Sequence, residues 1–179
     1  MSKPAKTGAI YRPMLEPAAI QTRIERAKEL IKTVRHVPIA TVNADGTPHN
    51  TPVFAAFDDD LHMMWASSPQ AVHSQNIART GQAFAVLFDS MDAGGGLFMR
   101  GKARQLDDSE LVAALTIFNQ RREAQLAEHL PERYFIGDGP QRLYCLEPEQ
   151  LWVNSATRDE YNNIIEDKRY EVARNQFVL

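Results

Sequence analysis

One cysteine in 179 residues, Cys145, leaves the chain with neither an internal disulfide nor a multi-cysteine metal site. Its five histidines, at positions 36, 49, 62, 73 and 129, show none of the paired spacings of a zinc helix, so no metal site is expected. No apolar run approaches the ~20 residues that a membrane helix needs, and the opening MSKPAKTGAIYRPM lacks the apolar segment of a secretory signal. Charge of neither sign dominates: 20 basic against 23 acidic side chains give −3, too weak a field to gather nucleic acid or an anionic lipid surface. Together these absences suggest a cytoplasmic protein without a nucleic-acid or membrane partner. Stability has to come from burial, and an apolar fraction of 44% suffices for one packed core.

The first 17 residues carry Pro4, Pro13 and Pro17 with no periodicity and read as a mobile arm. From Ala18 the spacing of Ile20, Ile24, Ala27, Leu30, Ile31 and Val34 predicts an amphipathic helix. VPIATVN then reads as a strand ending in Asp45-Gly46, whose glycine supplies the positive φ of a tight turn, and PHNTPVFAAF as the strand that returns. Pro52 inside it cannot donate to a ladder, which places it at an edge, a bulge or a ligand-facing backbone. LHMMWAS is a third strand. Ser68 before Pro69 predicts a capped helix running to Thr80 and stopped by Gly81. AFAVLFD and LFMRGKARQL are strands about a DAGGG turn, the second with Gly101 in its interior. A helix starting near Asp107 or Asp108 is expected to pack Leu111, Leu115, Phe118, Leu126 and Leu130 and to leave Arg121 and Arg122 on a solvated face. RLYCLEP and QLWVN are two further strands broken by Pro148.

Seven strands joined by short connections, with three helices between them and no βα alternation, predict an α+β domain whose antiparallel sheet closes into a small barrel over residues 18–154. Residues 155–179 mix charge with Tyr161, Ile164, Ile165, Tyr170 and Phe177. That is too apolar for a solvated tail, so they should pack on their own domain or on a partner subunit.

The stretch with most chemistry is residues 61–77, LHMMWASSPQAVHSQNI, where a strand ends in Ser67 and Ser68 and passes into a helix start holding His73, Ser74 and Asn76. Unused backbone amides at a helix N-terminus favour an anion, and hydroxyl donors suit a phosphate. Plain capping by Ser68, with His73 and Asn76 in solvent, accounts for the same residues without a ligand. Upstream, His49, Asn50, Thr51, Pro52 and Val53 bring polar groups and a backbone short of one donor to the neighbouring strand, where a planar heteroaromatic ring could be read.

The order of these elements, and above all the ATVNADGTPHNTPV hairpin and the ASSPQAVHSQNI junction, resembles the FMN-binding split barrels related to pyridoxamine 5′-phosphate oxidase, over about residues 19–154. The resemblance implies a small antiparallel split β-barrel with about three peripheral helices, forming a homodimer that holds FMN at its interface. It implies that Asn50, Thr51, Pro52 and Val53 face the flavin ring. Ser67, Ser68, His73, Ser74 and Asn76 would take its phosphate, and Trp152 would wall the site from the last strand. Where relatives often carry lysine or arginine, this chain has His73, a weaker phosphate partner at neutral pH. The C-terminal arginine- and tryptophan-bearing signature of the true pyridoxamine 5′-phosphate oxidases is missing, so vitamin B6 oxidation is not expected.

The activity that the resemblance implies is that of an oxidoreductase passing electrons or hydride from a reduced nicotinamide, NADH or NADPH, through FMN to a small-molecule acceptor. No side chain stands out as acid or base. A haem- or deazaflavin-binding relative and a flavin-binding dimer without turnover remain as alternatives. Gly94-Gly95-Gly96 lacks the lysine and hydroxyl of a P-loop, and no nucleophile motif accompanies the serines.

Overall fold

The computed structural model describes residues 17–158, 160–161 and 163–177, so the arm expected at the N-terminus lies outside the described residues except for Pro17. Helix α1 (Pro17–Thr33) buries Ile24, Ala27, Leu30 and Ile31, the stripe its three- and four-residue spacing demands. Its C-terminal carbonyls are met from a distance. Arg121 Nη2 donates to Ile31 O at 3.1 Å and Val34 O at 2.9 Å, and Nη1 donates to Lys32 O. Arg121 is therefore a cap for α1 and not the solvated charge expected of it.

Eight strands form one antiparallel sheet: β1 (His36–Val42), β2 (Pro48–Phe54), β3 (Ala56–Phe57), β4 (Met63–Ser67), β5 (Gln82–Asp89), β6 (Asp92–Gln105), β7 (Arg142–Arg158) and β8 (Ile164–Val172). The order is β2-β1-β5-β6-β7-β4-β3, with β8 also on β7. Helices α2 (Val72–Thr80) and α3 (Asp108–Ala124) complete the α+β half-barrel.

β7 organises the split. Its first half pairs with β4, from Arg142 opposite Ser67 to Leu146 opposite Met63, and its second half pairs with β8, from Leu151 opposite Val172 onward. Between these halves lies Pro148, which by sequence should end a strand but instead sits within one. It faces Gly101 where the β6–β7 register shifts, so the ladder already lacks the bond that proline could not make. A Cβ on Gly101 would lie 1.9 Å from Glu147 O, which explains the glycine. Because β7 continues past residue 154 and β8 adds to it, residues 155–158 and 164–172 belong to the same sheet, and Val172 and Phe177 enter the main core.

That core lies between α1 and the inner face of the sheet, around Ile39, Trp65, Leu87, Leu97, Met99 and Leu146. A second core packs α3 on the other face of β4 and β7, through Met64, Leu111, Leu115, Phe118 and Cys145. β4 is thus covered on both faces, as its unbroken apolar run requires. α3 stops at Ala124, earlier than expected: Leu126 has φ +55° and is 97% exposed, so it does not extend the packing stripe.

Gly101→Ala should cost about 3 kcal/mol or more, because backbone must move to admit the methyl group. Gly46→Ala, at φ +85° with nothing near the added carbon, should cost only about 1–2 kcal/mol. Urea unfolding of the two variants checks the order, and equal costs would contradict the packing at Gly101.

Candidate functional site

The junction from β4 to α2 is built differently from its sequence reading. The N-cap of α2 is Ala71 (φ −64°, ψ 144°), not Ser68. Ser68 shapes the preceding turn, its Oγ accepting from Gln70 N at 3.1 Å and its carbonyl from Ala71 N at 3.0 Å. Pro69 accordingly lies before the helix rather than in its first turn. The first intrahelical bond runs from Gln75 N to Ala71 O, which leaves the amides of Val72, His73 and Ser74 unused inside α2. The far end is fixed as expected, with Gly81 at φ +65° donating to Ile77 O.

Three polar side chains of α2 diverge from this start. His73, 7% exposed, turns to β4, where Nε2 lies 2.7 Å from Ser67 Oγ. Asn76, buried, turns to β1: its Nδ2 donates to Thr41 Oγ1 at 3.1 Å and to Asn43 Oδ1 at 2.9 Å. Ser74, also buried, turns the other way. Its Oγ has no partner and lines a separate cavity of about 360 Å³ with Ile77, Ala103 and Tyr144. Sequence proximity groups these three residues, but the helix separates them. Asn76 acts as a tie between α2 and the β1–β2 hairpin, with both amide hydrogens engaged.

β2 forms one end of the sheet, and its parity decides what it offers. Pro52 stands opposite Pro38, a pairing possible only where neither nitrogen enters the β1–β2 ladder. Ala55 N donates to Arg35 O, which puts the odd-numbered residues in the ladder and the even-numbered ones outside it. The free edge of β2 therefore carries the carbonyls of Pro48, Asn50 and Pro52 and the single N–H of Asn50 between them. Side chains alternate as well. Val53 is buried, Thr51 and His49 share its face half-buried, and Asn50 and Pro52 are exposed on the other. The four consecutive residues expected to face a ring cannot all do so with side chains; their backbone edge can.

His49, which the sequence groups with the polar residues of this strand without giving it a role, is placed by strand parity. Counting back by twos from buried Val53 brings it to the inner face beside Thr51, and its charge would act on His73. Burial first, and His49 second, hold the His73 imidazole below its ordinary value of 6.5, so His73 is neutral at pH 7. The arginines on the flanking elements are committed to backbone. Arg79 donates to Val42 O, and Arg142, the register partner of Ser67, donates to Gly137 O, Gly139 O and Gln141 O. The donor set at this junction is therefore neutral hydroxyl, imidazole and amide.

Trp152 lies elsewhere, on the outer face of the sheet. It stacks on Phe84 with centroids 6.3 Å apart, beneath Arg100, while Arg169 covers Phe98 at 4.0 Å. Val42 and Phe88 extend this face, each 48% exposed. A concavity of about 270 Å³ lined by Ala40, Val42, Pro48 and Phe84 joins it to the free edge of β2. On the α3 side, Cys145 lines a third hollow of about 310 Å³. Burial, and next the carboxylate of Glu147, push its thiol up to about 12.

With this geometry in view, the chain belongs to the pyridoxamine 5′-phosphate oxidase family, whose model matches residues 24–155. It is similar in structure to a heme binding protein from Mycobacterium smegmatis, with TM-score 0.59 and 16% identity over 94% of this chain and 62% of that one. It is also similar to a Clostridium acetobutylicum protein related to general stress protein 26 of B. subtilis, of the pyridoxinephosphate oxidase family, with TM-score 0.58 and 13% identity over 85% of this chain and 96% of that one. An F420 reductase aligns at TM-score 0.52 and 19% identity over 69% of this chain and 94% of its own. No curated protein sequence matches the chain. Among the described residues no helix is long and apolar enough to cross a membrane, and no group of three metal-binding side chains occurs.

Asn76→Ala leaves the buried Thr41 hydroxyl short of its partner and should cost about 1–3 kcal/mol in thermal or urea unfolding; a smaller loss would deny the tie. Since the folded-state pKa of His73 is depressed, stability should hold steady above about pH 6.5 and decline as pH falls below it, when the unfolded chain takes up the proton first. His73→Gln should flatten that decline. Cys145, for its part, should resist alkylation at pH 8 until the protein is unfolded, and rapid modification of the native protein would contradict its burial.

Proposed function

We propose that this chain is an FMN-binding oxidoreductase of its family, acting as a homodimer and passing electrons or hydride from a reduced nicotinamide to a small acceptor. One observation carries the reading. Ser67, His73 and the amides of Val72, His73 and Ser74 left unused inside α2, a set of neutral donors suited to a phosphate, stand on two elements, β4 and α2, that both contact β2, whose outer edge presents carbonyls and one N–H at fixed intervals. An anchor for a charged tail thus adjoins a row of groups that can read the polar edge of a planar ring. The residues present fit FMN on this ground.

FMN, when bound, supplies the electron and hydride chemistry. The chain's own contribution is to fix and orient. Ser67 and His73 hold the phosphate, the edge of β2 sets the ring by its carbonyls and the Asn50 N–H, and Asn76 keeps the helix at a constant distance from that edge. Family membership defines the frame without choosing the substrate, as the different groups named for its structural neighbours make plain. The second copy is assigned to the outer face bearing Phe84, Phe98 and Trp152. This face carries aromatic rings overlaid by Arg100 and Arg169, with Val42 and Phe88 exposed at its margin, and a concavity joins it to the free edge of β2. Trp152 would then wall the site from the partner, as the resemblance implies.

FMN titration of the ligand-free protein, followed by flavin fluorescence, tests the reading. FMN should bind more tightly than riboflavin, and Ser67→Ala should narrow the gap by about tenfold, the worth of one hydrogen bond to a charged group. Equal affinity for the two flavins would exclude the phosphate anchor. A chain that binds haem and neither flavin would replace the proposal with the haem reading. Sedimentation should show a dimer that Phe88→Glu converts to monomer, and a wild-type monomer would remove the second copy from the site.

A further inference from the structure

We propose that the buried imidazole at this junction, His73, makes phosphate capture proton-linked: the site takes up a proton as it receives a phosphate monoester, and its grip weakens as pH rises. The proposal rests on the phosphate-anchor reading above and adds how that anchor is regulated.

The cradle is surrounded by groups from five elements. His73 comes from α2, is nearly buried, and contacts Ser67 of β4 at 2.7 Å. His49 comes from the inner face of β2, close enough for its charge to act on His73. β1 and its turn contribute Thr41 and Asn43, both neutral and both bonded to Asn76, while Asp45 farther along the turn is held by Thr47. α2 contributes Arg79 and β7 contributes Arg142, each bound to backbone carbonyls. No described side chain packed at this junction thus brings a fixed, uncommitted positive charge. Beyond the Arg79 and Arg142 guanidinium groups, whose hydrogen bonds go to carbonyls, the described group in contact with Ser67 that can gain a positive charge is the His73 imidazole.

Burial that disfavours a charged His73 in the free protein is offset once a dianion lies against it, because an opposite charge within a few ångströms stabilises the protonated ring. The direction comes from linkage. Below the free-state pKa the ring is already charged, and above the bound-state pKa it stays neutral in both states. Between these limits each pH unit upward lowers affinity by up to about tenfold per proton taken up. At the acid end the ligand sets a limit of its own, since a phosphate monoester loses its second charge near about pH 6. Binding should therefore be tightest close to that point and fall through neutrality.

The test is the dissociation constant of FMN between about pH 6 and about pH 8, with riboflavin as the phosphate-free control, and calorimetry in two buffers of different ionisation heat to count protons. The wild-type chain should lose about tenfold in FMN affinity for each pH unit above neutrality, take up close to one proton, and bind riboflavin without either effect. His73→Lys should bind FMN with little dependence on pH above neutrality. His49→Gln should keep the slope but move it to higher pH, because a competing charge is gone. FMN binding that exceeds riboflavin binding but is flat with pH, with no proton taken up, overturns the proton linkage and leaves the phosphate anchor standing. Failure to prefer FMN over riboflavin at any pH overturns the anchor itself. The proton count on the wild-type protein decides even where a variant fails to fold.

Discussion

A short helix, held across the open side of a half-barrel by neutral, buried hydrogen bonds, is the element on which the functional end of the structure depends. Asn76 binds α2 to β1 through Thr41 and Asn43, and His73 binds it to β4 through Ser67. β1 and β4 have no ladder with each other, and α2 bridges them at this end by side-chain hydrogen bonds. In a low-dielectric setting each of these polar groups is costly to leave unpaired, which makes the arrangement stiff as well as stable. The geometry offered to a ligand is consequently fixed before the ligand arrives.

A family frame that holds different groups in different members leaves specificity to a few side chains at the mouth. Here the β4–α2 junction has His73 beside Ser67, and Arg79 and Arg142 on the flanking elements are turned to backbone carbonyls. The outer face of the sheet adds a second constraint: Phe84, Phe98 and Trp152 make a surface too apolar to be left in water at no cost, next to the edge that would read a ring.

Much of this is legible in the chain itself. The helix stripe of α1, the Asp45-Gly46 turn, the apolar run of β4, the Gly81 stop and the α+β antiparallel class all follow from period, turn chemistry and capping. The failures have specific causes. Pro148 reads as a breaker because its partner Gly101, far off in sequence, is what admits it to a bulge. Ser68 reads as a cap because cap and turn share the same residue grammar, and three more residues before Val72 decide between them. Leu126 fits a helical stripe by spacing, yet the chain has already turned left-handed there. β8 is hidden by its charged alternation, which suits a strand with one wet face. At the β4–α2 junction, motif reading groups Ser67, Ser74, Asn76 and Trp152 together but cannot give the directions of Ser74, Asn76 and Trp152, which depend on helix phase and sheet face. His49 needs strand parity counted from Val53 rather than the motif.

The most direct measurement is a crystal structure of the protein with FMN. The account predicts the phosphate within hydrogen-bonding distance of Ser67 Oγ and the His73 ring, with the edge of β2 along the isoalloxazine and α2 unmoved. FMN seated with its phosphate away from Ser67 and His73, or a helix displaced from Thr41 to admit it, would contradict the claim that this end of the barrel is a preformed phosphate anchor.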